Sequence, residues 1–186
     1  MIRLKKIYVI RHCKAEGQSS ESPLTAIGIR QAIELSAFFD NVKVEQIISS
    51  PYKRAIQTIQ PLAERLKLEI EINSQLKERV LSTEPLEDWL QKLSETFDNH
   101  DLKFEGGESS DEAANRIIGV VESIFKSKFE NTIIVTHGNL MSLLLNHYTK
   151  QFAFDEWANL SNPEIYLLNS DSSGVIFERI RNELTE

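Results

Sequence analysis

The chain has 186 residues, 41% of them hydrophobic and 26% charged, which fits one globular domain with room for a substantial core. Its formal net charge of −7 argues against nucleic acid or an anionic membrane as a partner, because both require a basic face. The lone Cys13 excludes an internal disulfide and fits a reducing compartment, and no apolar stretch reaches the length of a membrane span or a signal-peptide core, so a cytoplasmic location is expected.

Strand and helix patterns alternate along the chain. Ile7 to Ile10 is an apolar run that predicts a buried strand, and Arg11-His12 follows it directly. Thr25 to Phe39 predicts a helix capped by Thr25, with Ile29, Ala32, Ile33 and Leu35 on its apolar face. Gln46 to Ser49 predicts a second strand. A helix is expected to open near Pro51 under a Ser49 or Ser50 cap and to run to about Leu66, with Pro61 kinking or splitting it. Leu68 to Ile72 alternates and predicts a third strand.

Pro85 to about Phe97 predicts a helix. Ser109 and Glu112 have the spacing of a capping box and open an amphipathic helix through Phe125. Thr132 to Thr136 predicts another buried strand, followed at once by His137-Gly138 and a helix to about Tyr148. Glu164 to Leu168 and Gly174 to Arg179 predict a hairpin turning at Asp171-Ser172-Ser173-Gly174. The alternation predicts an α/β fold, with a mostly parallel central sheet and helices on both faces in three layers. Residues 1–186 are expected to form one domain. The polar segment 81–107 is placed as a possible lid.

Ligands in open α/β sheets bind outside the carboxyl ends of the strands. His12 and His137 both follow strands, so they can face one pocket. Neutral imidazole is a good nucleophile near neutral pH and can form a phospho-intermediate. Arg11, beside His12, and Arg54, after the second strand, can clamp a phosphoryl group in bidentate fashion. His137 and Gly138 begin a helix whose free N–H groups favour an anion. Glu78, after the third strand, supplies the acid that phosphomonoester cleavage needs at the leaving oxygen.

Other candidates read as bland. Cys13 lacks the arginine six positions on that a cysteine phosphatase requires, since Ser19 stands there, so it reads as a packing residue. Lys53, His100 and His147 read as solvated or structural. Trp89 and Trp157 read as buried aromatics, with an interface as the other option. No metal-binding motif, P-loop or dinucleotide fingerprint is visible in the sequence.

Arg11-His12-Cys13 resembles the Arg-His-Gly signature of the histidine phosphatase superfamily, the phosphoglycerate-mutase-like proteins. Pro23-Leu24-Thr25 with Gly28, Gln31 and Ala32 is similar to that family's helix start, and Ser49-Ser50-Pro51 with Arg54, Ala55, Gln57 and Thr58 to its second arginine motif. Leu76-Lys77-Glu78, Gly106-Gly107-Glu108-Ser109 and Val135-Thr136-His137-Gly138 resemble three further elements in the family's order. The resemblance implies His12 as the nucleophile, with Arg11, Arg54 and His137 binding the phosphoryl group. It implies Glu78 as proton donor and then base for water, and places Gln18 near the phosphate. No metal or organic cofactor is implied. Cys13 and Ala15 depart from the usual glycine and hydroxyl residue, which bears on substrate preference. The reading is a metal-independent phosphomonoester hydrolase acting on a small molecule. A cofactor-dependent phosphoglycerate mutase and a silent phospholigand-binding protein are the alternatives. Oligomeric state is left open.

Overall fold

The computed structural model describes residues 5–171 and 174–180. Among these, six strands form one mixed sheet. The strands are β1 (Lys5–Arg11), β2 (Gln46–Ser49), β3 (Ile70–Ile72), β4 (Asn131–Thr136), β5 (Glu164–Asp171) and β6 (Gly174–Ile180). The helices are α1 (Ala26–Phe38), α2 (Lys53–Leu66), α3 (Trp89–Asp98), α4 (Ser110–Lys126), α5 (Gly138–Thr149) and α6 (Phe154–Ala158). The sheet order is β3-β2-β4-β1-β5-β6. The first four are mutually parallel, and β5 and β6 add antiparallel.

Alternation along the strands builds a core on each face. Ile7, Val9, Ile48, Ile134, Tyr166 and Leu168 pack with residues of α4 and α5. Their neighbours Tyr8, Ile10, Ile47, Ile133, Val135 and Ile165 pack with α1 and α2. Successive strand side chains point to opposite faces, so an unbroken apolar run such as Ile133-Ile134-Val135 is required where helices cover both. The expected layers of helix, sheet and helix are therefore present.

Register sets the position of the site. Ser49 and Ile10 both pair with Val135, and Arg11 pairs with Thr136. The carboxyl ends of β1, β2 and β4 thus lie at one level. The residues that follow, His12, Ser50 and His137, leave the sheet together.

Several local expectations change. Helix α1 carries its Thr25 cap, which accepts from the Gly28 N–H. Its buried positions are Gly28, Gln31, Ala32, Leu35 and Ser36, while Ile29 and Ile33 are 51% and 58% exposed. The cause is a close backbone approach at Gly28, where a Cβ would lie 2.0 Å from the Lys14 carbonyl oxygen. Gln31 on the same face accepts from the Lys14 N–H. Helix α2 is continuous through Pro61 and is not split. It begins at Lys53 with Tyr52 in the cap position and no side-chain cap, so Pro51 precedes the helix and Ser50 instead accepts from the Tyr52 N–H. Helix α3 starts at Trp89, later than Pro85. The Ser109–Glu112 capping box is present in both directions. The hairpin of β5 and β6 is formed, while Ser172 and Ser173 of its turn lie outside the described residues.

Candidate active site

His12 is fixed by its own loop. Its Nδ1 lies 2.7 Å from the Cys13 carbonyl oxygen. A carbonyl only accepts, so Nδ1 carries the proton and Nε2 carries the lone pair. Asn162, in the segment before β5, donates from Nδ2 to the His12 carbonyl at 2.7 Å. His12 is 7% exposed, and burial pushes its pKa from 6.5 down to about 3, assisted by Arg54 and Arg11. The imidazole is therefore neutral at physiological pH.

Arg54 comes from the first turn of α2 and is 1% exposed. Its Nε donates to His12 Nε2 at 3.1 Å. One terminal nitrogen donates to the carbonyls of Gln18 and Ser19, at 3.2 and 2.7 Å. Gln18 is itself exposed, as is Lys53. Arg11, at the end of β1, donates to the Leu160 and Ser161 carbonyls at 2.8 and 3.3 Å. Its Nε is buried without a protein partner. Gly138 lies against this guanidinium: a Cβ there would be 3.0 Å from Arg11 Nε. The glycine allows the arginine side chain to cross the start of α5 at contact distance.

His137 caps α5 without a side-chain capping bond. Its ring centroid is 5.2 Å from that of His12. Its Nε2 shares a 2.8 Å hydrogen bond with the Ser50 hydroxyl, and its Nδ1 is buried without a partner. Burial holds its pKa well below 6.5, with His12 and the nearby arginines adding to the effect.

Glu78 takes the start of α5. Its Oε2 accepts from the Asn139 N–H at 3.1 Å, and its Oε1 from the N–H groups of Leu140 and Arg79 at 3.0 and 2.9 Å. The sequence predicted that free N–H groups there would meet an anionic ligand. The structure corrects this: the anion at the Asn139 and Leu140 amides is the Glu78 carboxylate, a placement the helix dipole favours.

A cavity of about 340 Å³ is lined in part by Arg11, Gln18, Glu78 and Gly138. His12, Arg54 and His137 connect to it through the contacts above and are not themselves part of its wall. Glu78 also borders a smaller cavity of about 190 Å³, shared with Tyr52, Lys77 and Arg116. The residues chosen from sequence therefore form one linked constellation. Cys13 packs with Leu24 and Ala32, and burial pushes its thiol up to about 12, so it is no rival nucleophile. Its carbonyl still orients His12, so the departure from glycine leaves that contact intact. His100 pairs with Asp111 at 3.2 Å, and His147 is exposed on α5.

Sequence reasoning missed Ser50, Asn139 and Asn162 as site residues. Of the two tryptophans read as buried, Trp157 is half-buried against the core and Trp89 is 51% exposed, and both line the larger cavity. Asn139 directly follows His137-Gly138, a placement that could have drawn attention to it. Asn162 carried no local signal, since it reaches His12 only through the pairing of β1 with β5. Among the described residues, no cluster of three or more His, Cys, Asp or Glu side chains is placed to hold a metal ion. Among the same residues, no helix is long and apolar enough to cross a membrane.

The sequence profile of the histidine phosphatase superfamily (branch 1) matches residues 7–183. The chain belongs to this superfamily. Its relatives include a Hydrogenobacter thermophilus protein assigned the name phosphoserine phosphatase 2, 27% identical over 76% of this chain and 77% of that protein. A Proteus mirabilis protein assigned the name phosphoglycerate mutase GpmB is 27% identical over 76% of this chain and 73% of that one. In fold, the chain is similar to a mycobacterial glucosyl-3-phosphoglycerate phosphatase solved with inorganic phosphate. The TM-score is 0.76 at 20% identity, covering 95% of this chain and 96% of that one. It is equally similar to a phosphoglycerate mutase from Bacillus anthracis, with TM-score 0.76 at 18% identity over 96% and 93% of the two chains. The superfamily thus brings phosphoryl-transfer chemistry, in phosphatase and mutase forms.

Proposed function

We propose that this histidine phosphatase superfamily member is a metal-independent phosphomonoester hydrolase that acts on a small molecule through a phosphohistidine at His12. The observation that carries the reading is the tautomer of His12. The Cys13 carbonyl takes Nδ1–H, burial keeps the ring neutral, and Nε2 keeps its lone pair under the Arg54 donor. A phosphoryl oxygen that drew the Arg54 N–H to itself would free that lone pair beside the phosphorus.

In this reading Nε2 attacks phosphorus and the ester P–O bond breaks. Arg11, Arg54 and His137 bear the charge on the equatorial oxygens, where fixed donors act most strongly. Gln18 and Gly138 complete the phosphate surroundings, Gly138 by leaving room for Arg11. Glu78 takes up the proton of the bound phosphomonoester monoanion and passes it to the departing alkoxide. Its Oε2 accepts one N–H against two on Oε1, so Oε2 is the oxygen with room for that proton. The carboxylate then takes a proton from water, which attacks the phosphohistidine and releases phosphate. We read the chain as one domain, with residues 81–107 over the cavity; Leu81, Trp89 and Leu93 of that segment line it.

A mutase must hold a product with a second acidic group while water is excluded. Arg79 is the one further cation in the larger cavity's wall, and its guanidinium already donates to Thr96, Ser110 and the Glu108 carbonyl. That favours hydrolysis. The test is phosphate release from a panel of monoesters in EDTA, with acid-labile phosphoenzyme trapped by rapid quench. Wild-type protein should show both and His12→Ala neither. Near-wild-type turnover by the variant would refute the mechanism. Interconversion of 3- and 2-phosphoglycerate without phosphate release would establish the mutase, and silence in both assays the binding protein.

A further inference from the structure

The wall of the larger cavity beyond Arg11 and Gly138 has a different chemistry. Trp89 opens α3 and Leu93 follows one helical turn later on the same face, while Leu81 precedes the helix. Trp157 comes from α6, far away in sequence. The two helices are joined by an edge-to-face contact between Phe97 and Phe154, with centroids 5.9 Å apart, and Phe154 in turn lies 5.3 Å from Trp157. Aromatic packing thus brings two tryptophans from separate segments to one cavity, yet leaves Trp89 51% exposed. A large apolar side chain held half-exposed at a ligand cavity is a binding feature more than a packing one.

Two further observations define what this wall receives. Asn139, which borders the cavity, is 5% exposed, and its Oδ1 and Nδ2 are both buried without a protein partner. Buried amides are rarely left so, and this one, at the cavity wall, has an unpaired acceptor and two unpaired donors. Arg79, the cation in this part of the wall, has its donors engaged by Thr96, Ser110 and the Glu108 carbonyl. The wall therefore offers flat apolar surface and one amide, and no uncommitted positive charge. At about 340 Å³ the cavity is at the small end of ligand pockets, which run from roughly 300 Å³ upward.

We propose that this subsite selects phosphomonoesters whose alcohol carries a flat aromatic ring, with the ring against Trp89 and Trp157 and a polar atom near the ester bonded to Asn139. The proposal deepens the hydrolase reading and rests on it for the position of the phosphate. Stacking of this kind favours a planar ring over an aliphatic chain beyond their difference in area.

The two ideas can be tested apart by calorimetric binding of non-hydrolysable phosphonates. 2-Phenylethylphosphonate should bind on the order of tenfold tighter than 2-hydroxyethylphosphonate. Trp89→Ala and Trp157→Ala should each lower that ratio severalfold. Trp89 is half-exposed, so its variant keeps the fold even if the Trp157 variant does not. A ratio near one in the wild type, or a ratio unchanged by Trp89→Ala, overturns the subsite. Phosphate release from glycerol phosphate alongside a ratio of one would leave the hydrolase standing and discard the subsite alone. A tenfold ratio with no release from any monoester would do the reverse.

Discussion

The Nε of Arg54 donates to Nε2 of His12 at 3.1 Å, so a fixed cation sits on the nitrogen that would attack phosphorus. Burial, assisted by that contact, keeps His12 unprotonated down to about pH 3, and burial holds the His137 imidazole well below its ordinary value. The consequence for stability has a definite sign. An unfolded histidine binds a proton below about pH 6.5, and the folded one does not. Stability is thus full above pH 6.5 and falls as pH drops toward 3. Each such histidine contributes a slope of about 1.4 kcal/mol per pH unit. Between pH 6.5 and 4.5, above the range of ordinary carboxylates, urea unfolding of the wild type should steepen with acid. His12→Asn should show a slope shallower by about one such contribution. Equal slopes would mean that His12 titrates normally in the fold.

Gly138 and Arg11 make a steric prediction. A methyl group at 138 would lie 3.0 to 3.3 Å from three atoms of the guanidinium, so the arginine must give by a few tenths of an ångström. Gly138→Ala should lower kcat/KM by roughly tenfold, because small displacements of a positioning group are costly. Its unfolding midpoint should stay level or rise, since alanine favours the helix start. An unchanged kcat/KM would remove Gly138 and Arg11 from the phosphate site.

Glu78 separates leaving groups. An alkyl alcohol needs protonation as it departs, and an aryl alcohol needs far less. Glu78→Gln should reduce kcat for alkyl phosphates on the order of a hundredfold and for aryl phosphates much less. Loss of the Asn139 and Leu140 contacts would also weaken the start of α5, so unfolding should be followed in parallel. Equal losses on both substrate classes, with the fold intact, would assign Glu78 to holding the helix and not to acid catalysis.

The sequence by itself determined the layered α/β fold and pointed to the residues proposed to carry the chemistry. The reason is local. Ile7 to Ile10 and Ile133 to Val135 must be strands buried on both faces, and His12 and His137 must then emerge at their carboxyl ends. Only the tertiary structure decided the rest. Periodicity placed Ile29, Ala32, Ile33 and Leu35 inside; Ala32 and Leu35 are buried, but the approach of the Lys14 backbone to Gly28 leaves Ile29 and Ile33 facing out. The anion at α5 proved to be Glu78, from a loop some sixty residues earlier. Trp89 and Trp157 share one cavity because Phe97 meets Phe154. A run of residues reports which way its own side chains face on average. It does not report which distant segment packs against it, and in this protein those long-range contacts set the orientation of His12, the partner of α5 and the wall of the larger cavity.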